Sequence, residues 1–245
     1  MLRLIVFCLL INVIFASCSQ DQPQKQAKNN PVKKTFDYSA FALEVGDILF
    51  QDSDCGPFCE AIEKVTFGVD GAKFSHVGLV ATGKDQQLAI IEAISAGVVI
   101  THLDTFFNRS FDDYGNSKVV VGRLKPEYRN LIPLAVAYAK TKLGKPYDEV
   151  FNVLNDKYYC SELLYEAFSH ANGDQPIFDL QKMTYKDPDT NETFPIWKKY
   201  FEDLGVAIPE GQPGLNPGSM SRSRFIDIVK VYGKPQGMKI QTTSD

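Results

Sequence analysis

The runs Phe74-Ser75-His76-Val77-Gly78-Leu79-Val80-Ala81 and Leu88-Ala89-Ile90-Ile91-Glu92-Ala93 decide how this chain folds. Both are short, apolar and rich in β-branched residues, and glycine and polar turn residues separate them, as in paired strands. Each carries one group foreign to an apolar strand, His76 in the first and Glu92 in the second. Strand alternation puts His76 on the side of Phe74 and Gly78, away from Val77 and Leu79. A histidine so placed needs a polar partner, and neighbouring strands joined by a short turn bring Glu92 beside it. Taken alone, the pair reads equally as a structural hydrogen bond within the sheet or as a base with its orienting carboxylate.

Working outward, the stretch 43–50 is expected to end in a strand after the punctuation Gly46-Asp47, and strands are expected at 98–101, 118–124 and 224–232, with 74–101 forming an antiparallel meander. Helices are expected at 56–67, at 126–143 between Pro126 and Gly144, at 158–171 and at 195–204. The Pro- and Gly-rich stretch 209–218 reads as a loop. Strands precede most helices, so the class is α+β, an antiparallel sheet packed against helices.

The helix at 158–171 has apolar residues at 160, 163, 164, 167 and 168, one buried stripe that begins with Cys160. Asn155 or Asp156 is the expected cap, which places Cys160 in or just after the first turn. Free amide N–H groups and the helix dipole there favour a thiolate and can hold an oxyanion. The plain alternative is a small core residue. With His76 and Glu92 on the sheet beneath it, Cys160 completes a set of nucleophile, base and orienting carboxylate.

Other groups carry less. His102 and His170 read as surface or capping residues, Ser161 is not in a nucleophile elbow, and Trp197 reads as a core or loop anchor. Cys55 and Cys59 can pair in an oxidising compartment, although their spacing within a helix strains a disulfide; two structural thiols are the alternative. No second Cys or His pair stands at metal-ligand spacing, so no metal or other cofactor is expected.

The runs Gly46-Asp47-Ile48-Leu49-Phe50, Phe74 to Val80, Ile91-Glu92-Ala93, Gly144-Lys145-Pro146-Tyr147-Asp148 and Tyr159-Cys160-Ser161-Glu162-Leu163 resemble the permuted papain-like amidases of the YiiX type, within the NlpC-type cell-wall peptidase superfamily. The likeness spans about half the chain and includes the order of motifs, with the histidine strands before the cysteine helix. It implies a circularly permuted papain-like fold in which Cys160 is the nucleophile, His76 the general base and Glu92 the residue that orients the imidazole. Tyr147 falls near the position where the superfamily often places a tyrosine whose hydroxyl helps the oxyanion hole; a core aromatic in a Pro-Tyr turn is its other reading. The implied activity is amide hydrolysis through a thioester, on cell-wall peptide or a related amide. A lipid acyltransferase or esterase of the related lecithin retinol acyltransferase branch is a second reading, and a non-catalytic binding module a third. Residues 172–223 show no usable match, so the substrate stays open.

The 245 residues are 44% hydrophobic and 23% charged, with net charge −4. These values suit a soluble globular protein and exclude a disordered chain, a multi-pass membrane protein and a basic nucleic-acid binder. Arg3, the apolar run from Leu4 to Phe15 and Phe15-Ala16-Ser17-Cys18 resemble a bacterial lipoprotein signal. On that reading residues 1–17 are removed, Cys18 carries a lipid, 18–35 is a polar tether and 36–245 is the catalytic domain. The expected location is the cell envelope, facing the periplasm or outer membrane, with membrane contact through the N-terminal lipid, a peptide or amide as substrate, and no nucleic-acid partner. Nothing in the sequence sets the oligomeric state.

Overall fold

The computed structural model describes residues 35–239. The expected signal segment, Cys18 and the tether up to residue 34 lie outside these residues. The strands in chain order are β1 (Ile48–Gln51), β2 (His76–Thr82), β3 (Leu88–Ile94), β4 (Gly97–His102), β5 (Val119–Leu124), β6 (Gln181–Lys182), β7 (Pro213–Gly214) and β8 (Ile226–Val231). The helices are α1 (Pro57–Val65), α2 (Leu103–Phe107), α3 (Ile132–Thr141), α4 (Cys160–Ala171), α5 (Pro195–Leu204) and α6 (Pro217–Ser221). Six strands form one sheet in the order β4-β3-β2-β1-β5-β8, and every neighbouring pair is antiparallel. The meander expected over 74–101 is therefore one half of the sheet. β6 and β7 pair separately.

Alternation along the strands splits the core in two. Val77, Leu79 and Ile91 face α3 and α4 and pack with Ala135, Ala139, Leu163, Leu164 and Phe168. Leu49, Val80, Ile90 and Val121 face the other way, onto Phe106 and Phe107 of α2. Leu163, Leu164 and Phe168 are fully buried, each contributing about 1.5–3 kcal/mol of apolar burial. That stripe is what holds the cysteine helix against the sheet.

β1 starts at Ile48, as expected just after Gly46-Asp47, where the Asp47 carboxylate accepts the Glu44 N–H (2.8 Å) and an Arg123 Nε–H (2.6 Å) and turns the chain before the strand. Several boundaries differ from expectation for local reasons. The span 126–143 divides into a tight 3-10 segment, Pro126–Leu131, and α3, with Pro133 near the helix start, where a missing N–H is tolerated. Within 209–218, short β7 and the start of α6 interrupt the loop. Phe74 does not share the face of His76. The strand begins only at His76, after a bend at Ser75, and Phe74 packs instead against Phe50 in the α4-side core.

The expected caps of the cysteine helix, Asn155 and Asp156, lie in the preceding turn. The Tyr158 N–H donates to the Pro146 carbonyl (3.1 Å) and the Asp148 N–H to the Tyr158 carbonyl (3.2 Å), which keeps the chain extended up to Tyr159. The cap is Tyr159, whose N–H donates to Oε2 of the Glu162 carboxyl group at 3.1 Å, and the first helical residue is Cys160. Trp197 is a core anchor, buried against Phe58 and Tyr185 with ring centroids 4.6 and 5.1 Å away.

Candidate active site

His76 opens β2, and its Nε2 lies 2.6 Å from Oε2 of Glu92 in β3. The two are not directly opposite. The register pairs Leu79 with Ile91, so Gly78 faces Glu92 and the histidine reaches it on the diagonal. Gly78 makes that reach possible. A Cβ there would lie 2.4 Å from Cγ2 of Ile90, 3.3 Å from Phe106 and 3.6 Å from Cβ of Glu92. Gly78→Ala is therefore expected to destabilise the fold by about 1–3 kcal/mol through overpacking; urea unfolding measures this, and an unchanged midpoint would contradict it.

Glu92 is completely buried and fully partnered. Thr101 of β4 donates its hydroxyl to Oε1, and Arg109 donates Nη1 to Oε2 (2.7 Å) and Nη2 to Oε1 (2.5 Å). Burial by itself would raise the carboxyl, but the bonds from Arg109 and then His76 outweigh it, and its pKa falls to about 2. Glu92 is thus a fixed anion between a guanidinium and the imidazole. Sequence reading missed Arg109. It follows Phe106-Phe107-Asn108 beyond a five-residue helix, 17 positions from Glu92, and no motif marks it. Its guanidinium lies over the Phe106 ring at 5.1 Å, which holds the fork in place.

Cys160 is the free cysteine among the described residues and is buried. α4 and the His76–Glu92 pair lie on opposite faces of the sheet, yet the cysteine begins its helix and the histidine begins its strand, so the two meet at the sheet's end. Burial works against a charged His76 ring. The neighbouring Cys160 sulfur and the Glu92 carboxylate more than offset it, and the ring's pKa rises to about 9. His76 is held between Cys160 and Glu92, which together favour its protonated ring. The residues predicted from the two strands and the helix are all brought together.

Tyr147 lines the same cleft as Cys160. Burial, then the nearby Cys160, pushes its hydroxyl well above the ordinary phenol value, so it remains a proton donor at any physiological pH. Glu162, two residues along the helix from Cys160, is fully buried and raised by burial to about 9. At neutral pH it is an uncharged acid that caps the helix without placing an anion near the sulfur.

The cleft beside Cys160 has a volume of about 150 Å³, and its walls are largely apolar, with Ile62 and Val65 of α1 facing Phe151, Tyr185, Trp197 and Leu215. Most of that far wall comes from the region 172–223, where the sequence offered no reading. Ser161 donates its hydroxyl to the Leu215 carbonyl (2.9 Å), and the Leu215 N–H donates to the Tyr159 hydroxyl (3.2 Å), which ties this wall to the cysteine helix. Cys55 and Cys59 are joined by a disulfide, Cα–Cα 5.3 Å, at the start of α1. Pro57 and Gly56, with its φ of 71°, sit inside the loop so closed. His102 is exposed at the start of α2, and His170 stacks on Tyr138 at 4.5 Å; neither approaches Cys160.

An antiparallel sheet with its histidine and carboxylate early in the chain, packed under a later helix that opens on a cysteine, is the papain-like fold in permuted order. The chain belongs to the permuted papain-like amidase family of the YaeF/YiiX type, C92, whose model matches residues 42–230, and amide hydrolysis is the family's activity class. It is 26% identical over 178 residues to the uncharacterized protein YiiX of Escherichia coli strain K12, which covers 73% of this chain and 81% of that protein. A crystal structure of the metalloprotein YiiX from Escherichia coli O157:H7 matches with a TM-score of 0.61 and 25% identity, over 79% of this chain and 99% of that one. Among the described residues here, no group of three or more His, Cys, Asp or Glu side chains is arranged to hold a metal ion. The donor set among these residues does not fit a metal.

Proposed function

We propose that this protein is a cysteine amidase in which Cys160, His76 and Glu92 act as nucleophile, base and orienting anion. The observation that carries this reading is the placement of His76 between the Cys160 sulfur and the ionised Glu92. The proton of the Cys160 thiol is held on His76, and the sulfur attacks the amide carbonyl as the C–S bond forms. Backbone N–H groups in the first turn of α4, left free by helix geometry, and the Tyr147 hydroxyl stabilise the oxyanion. The imidazolium then protonates the departing nitrogen as the C–N bond breaks. Water adds to the thioester, the acid leaves, and the proton returns to sulfur.

The apolar cleft walls favour a substrate whose acyl half is apolar, which also supports the second reading, acyl transfer from a lipid ester. The fate of the thioester separates the two, with water as acceptor in one and an amine or alcohol in the other. On the signal-like N-terminus, we place the protein at the cell envelope, anchored through a lipid on Cys18.

The test offers the full chain muropeptides and N-acyl amines side by side, with acid quenching and mass spectrometry of the peptide containing Cys160. Amide cleavage with an acyl adduct on Cys160 is expected, favouring the acyl amines. Cleavage of either class without such an adduct, or cleavage that persists in Cys160→Ala, would contradict the thioester route.

A further inference from the structure

Phe151 has a left-handed backbone, φ 54°, which a bulky side chain rarely adopts. It lies in the loop between Tyr147 and α4, and the turn is held on both sides of it. The fully buried Asp148 carboxylate accepts the N–H of Val150 (3.1 Å) and the N–H of Asn152. The Tyr200 hydroxyl donates to the Glu149 carbonyl (2.9 Å), which ties the same loop to α5. Such a conformation is costly and persists only where its surroundings impose it, often at a functional site. Here it brings the half-buried ring against two walls of the Cys160 cleft, with centroids 5.5 Å from Tyr159 and 5.8 Å from Trp197.

Phe151 borders a second space as well. Beside the cleft of about 150 Å³ runs a groove of about 460 Å³, formed by the loop 150–154 and the segment 206–213. Val150, Val153, Leu154, Val206 and Pro213 make its walls largely apolar, and Leu154, 89% exposed, stands open to solvent along it. Pro213 lines the groove and Leu215, two residues on, lines the cleft, so one segment of chain passes along both. The two spaces are neighbours, and Phe151 is the residue they share.

A cavity of about 150 Å³ holds an apolar group of about six carbons. An acyl chain that starts at the Cys160 sulfur and is longer than this must displace the aromatic wall, and the apolar space that could take the excess lies on the other side of Phe151. We infer that Phe151 sets the length of the acyl group this enzyme accepts, closing the cleft after about six carbons and keeping the groove out of reach. The inference rests on the cysteine amidase reading above and narrows it. The substrate class becomes amides of short acyl groups, and long-chain lipids become poor substrates.

The test is the rate at which Cys160 in the full chain is acylated by p-nitrophenyl esters from acetyl to dodecanoyl, read by release of p-nitrophenolate and by the mass of the acyl-enzyme. The ester C–O bond breaks as the C–S bond forms. In the wild type each added methylene is expected to raise the rate about two- to fourfold up to about six carbons and to add nothing beyond. Phe151→Ala should move that break to longer chains and raise the ratio of decanoyl to acetyl rates about tenfold or more. Phe151→Leu, which keeps a smaller apolar side chain in place, should move it less. A merely structural role would lower the rates of all esters together and leave the break where it was. Should Phe151→Ala fail to fold, Phe151→Leu decides. A wild-type rate that climbs steadily to dodecanoyl, or a break that neither substitution moves, would overturn the length limit. The acetyl ester gives the separate control: if its acylation of Cys160 does not depend on His76, the amidase reading fails, whereas His76-dependent acylation with an unmoved break removes only the length limit. No acylation of Cys160 at all overturns both.

Discussion

His76→Ala is expected to lower amide turnover by about 10²–10⁴-fold, the range for loss of a positioned acid and base. On the proposed mechanism the imidazole exchanges protons with both the Cys160 sulfur and the leaving nitrogen, so the loss should fall on kcat and leave KM nearly unchanged. Cys160→Ala should leave no turnover, because no acyl acceptor remains. The two substitutions should not add, since each disables the same covalent step. Steady-state kinetics on the single and double variants checks this. A His76→Ala protein within a few-fold of wild type would remove the histidine from the chemistry, whatever its contacts.

The second large effect is expected at Arg109, which touches no substrate. Arg109→Met leaves the buried Glu92 anion without its strongest partner. Breaking a buried pair from one side costs about 3–5 kcal/mol; Arg109 is 26% exposed, so about 2 kcal/mol is the better expectation after solvent screening. The pH dependence is more specific. Glu92 sits at about 2 in the fold against an ordinary 4.5, so its contribution is complete above pH 4.5 and is lost as pH falls from there toward 2. His76 is raised from 6.5 to about 9, so its contribution is complete below pH 6.5 and is lost as pH rises toward 9. Arg109→Met should move the acid limb to higher pH, because Glu92 loses its largest stabilising bond. The alkaline limb, set by Cys160 and Glu92 acting on His76, should stay where it was. Urea unfolding across the pH range reads both limbs; equal displacement of the two, or none, would contradict the role given to Arg109.

What the sequence made legible was the part governed by local pattern. Two apolar strands interrupted by one histidine and one glutamate, and a helical stripe beginning at a cysteine, were enough to place the three groups of the site. The diagonal contact between His76 and Glu92 was not legible, because it depends on a register that Gly78 permits and the pattern does not reveal. The cap at Tyr159 was missed for a related reason. Asn155 and Asp156 have the better capping side chains, but the bridge between Tyr147 and Tyr158 keeps the chain extended past them. Arg109 and the aromatic wall from Tyr185 and Trp197 reach the site only through tertiary packing, and no spacing announces them. The disulfide at Cys55 and Cys59 stood as an open alternative because a four-residue spacing inside a regular helix disfavours it. Gly56 and Pro57 break that assumption, since α1 begins only at Pro57 and Cys55 lies ahead of it.

The measurement closest to the centre of the account is the titration of His76 by NMR, following its imidazole in the wild-type protein, in Cys160→Ala and in Glu92→Gln. A ring held between sulfur and carboxylate should titrate near pH 9, and removing either neighbour should lower the midpoint by about one pH unit or more. A His76 ring that titrates near its ordinary value and does not respond to Cys160→Ala would show that cysteine and histidine do not act as a pair.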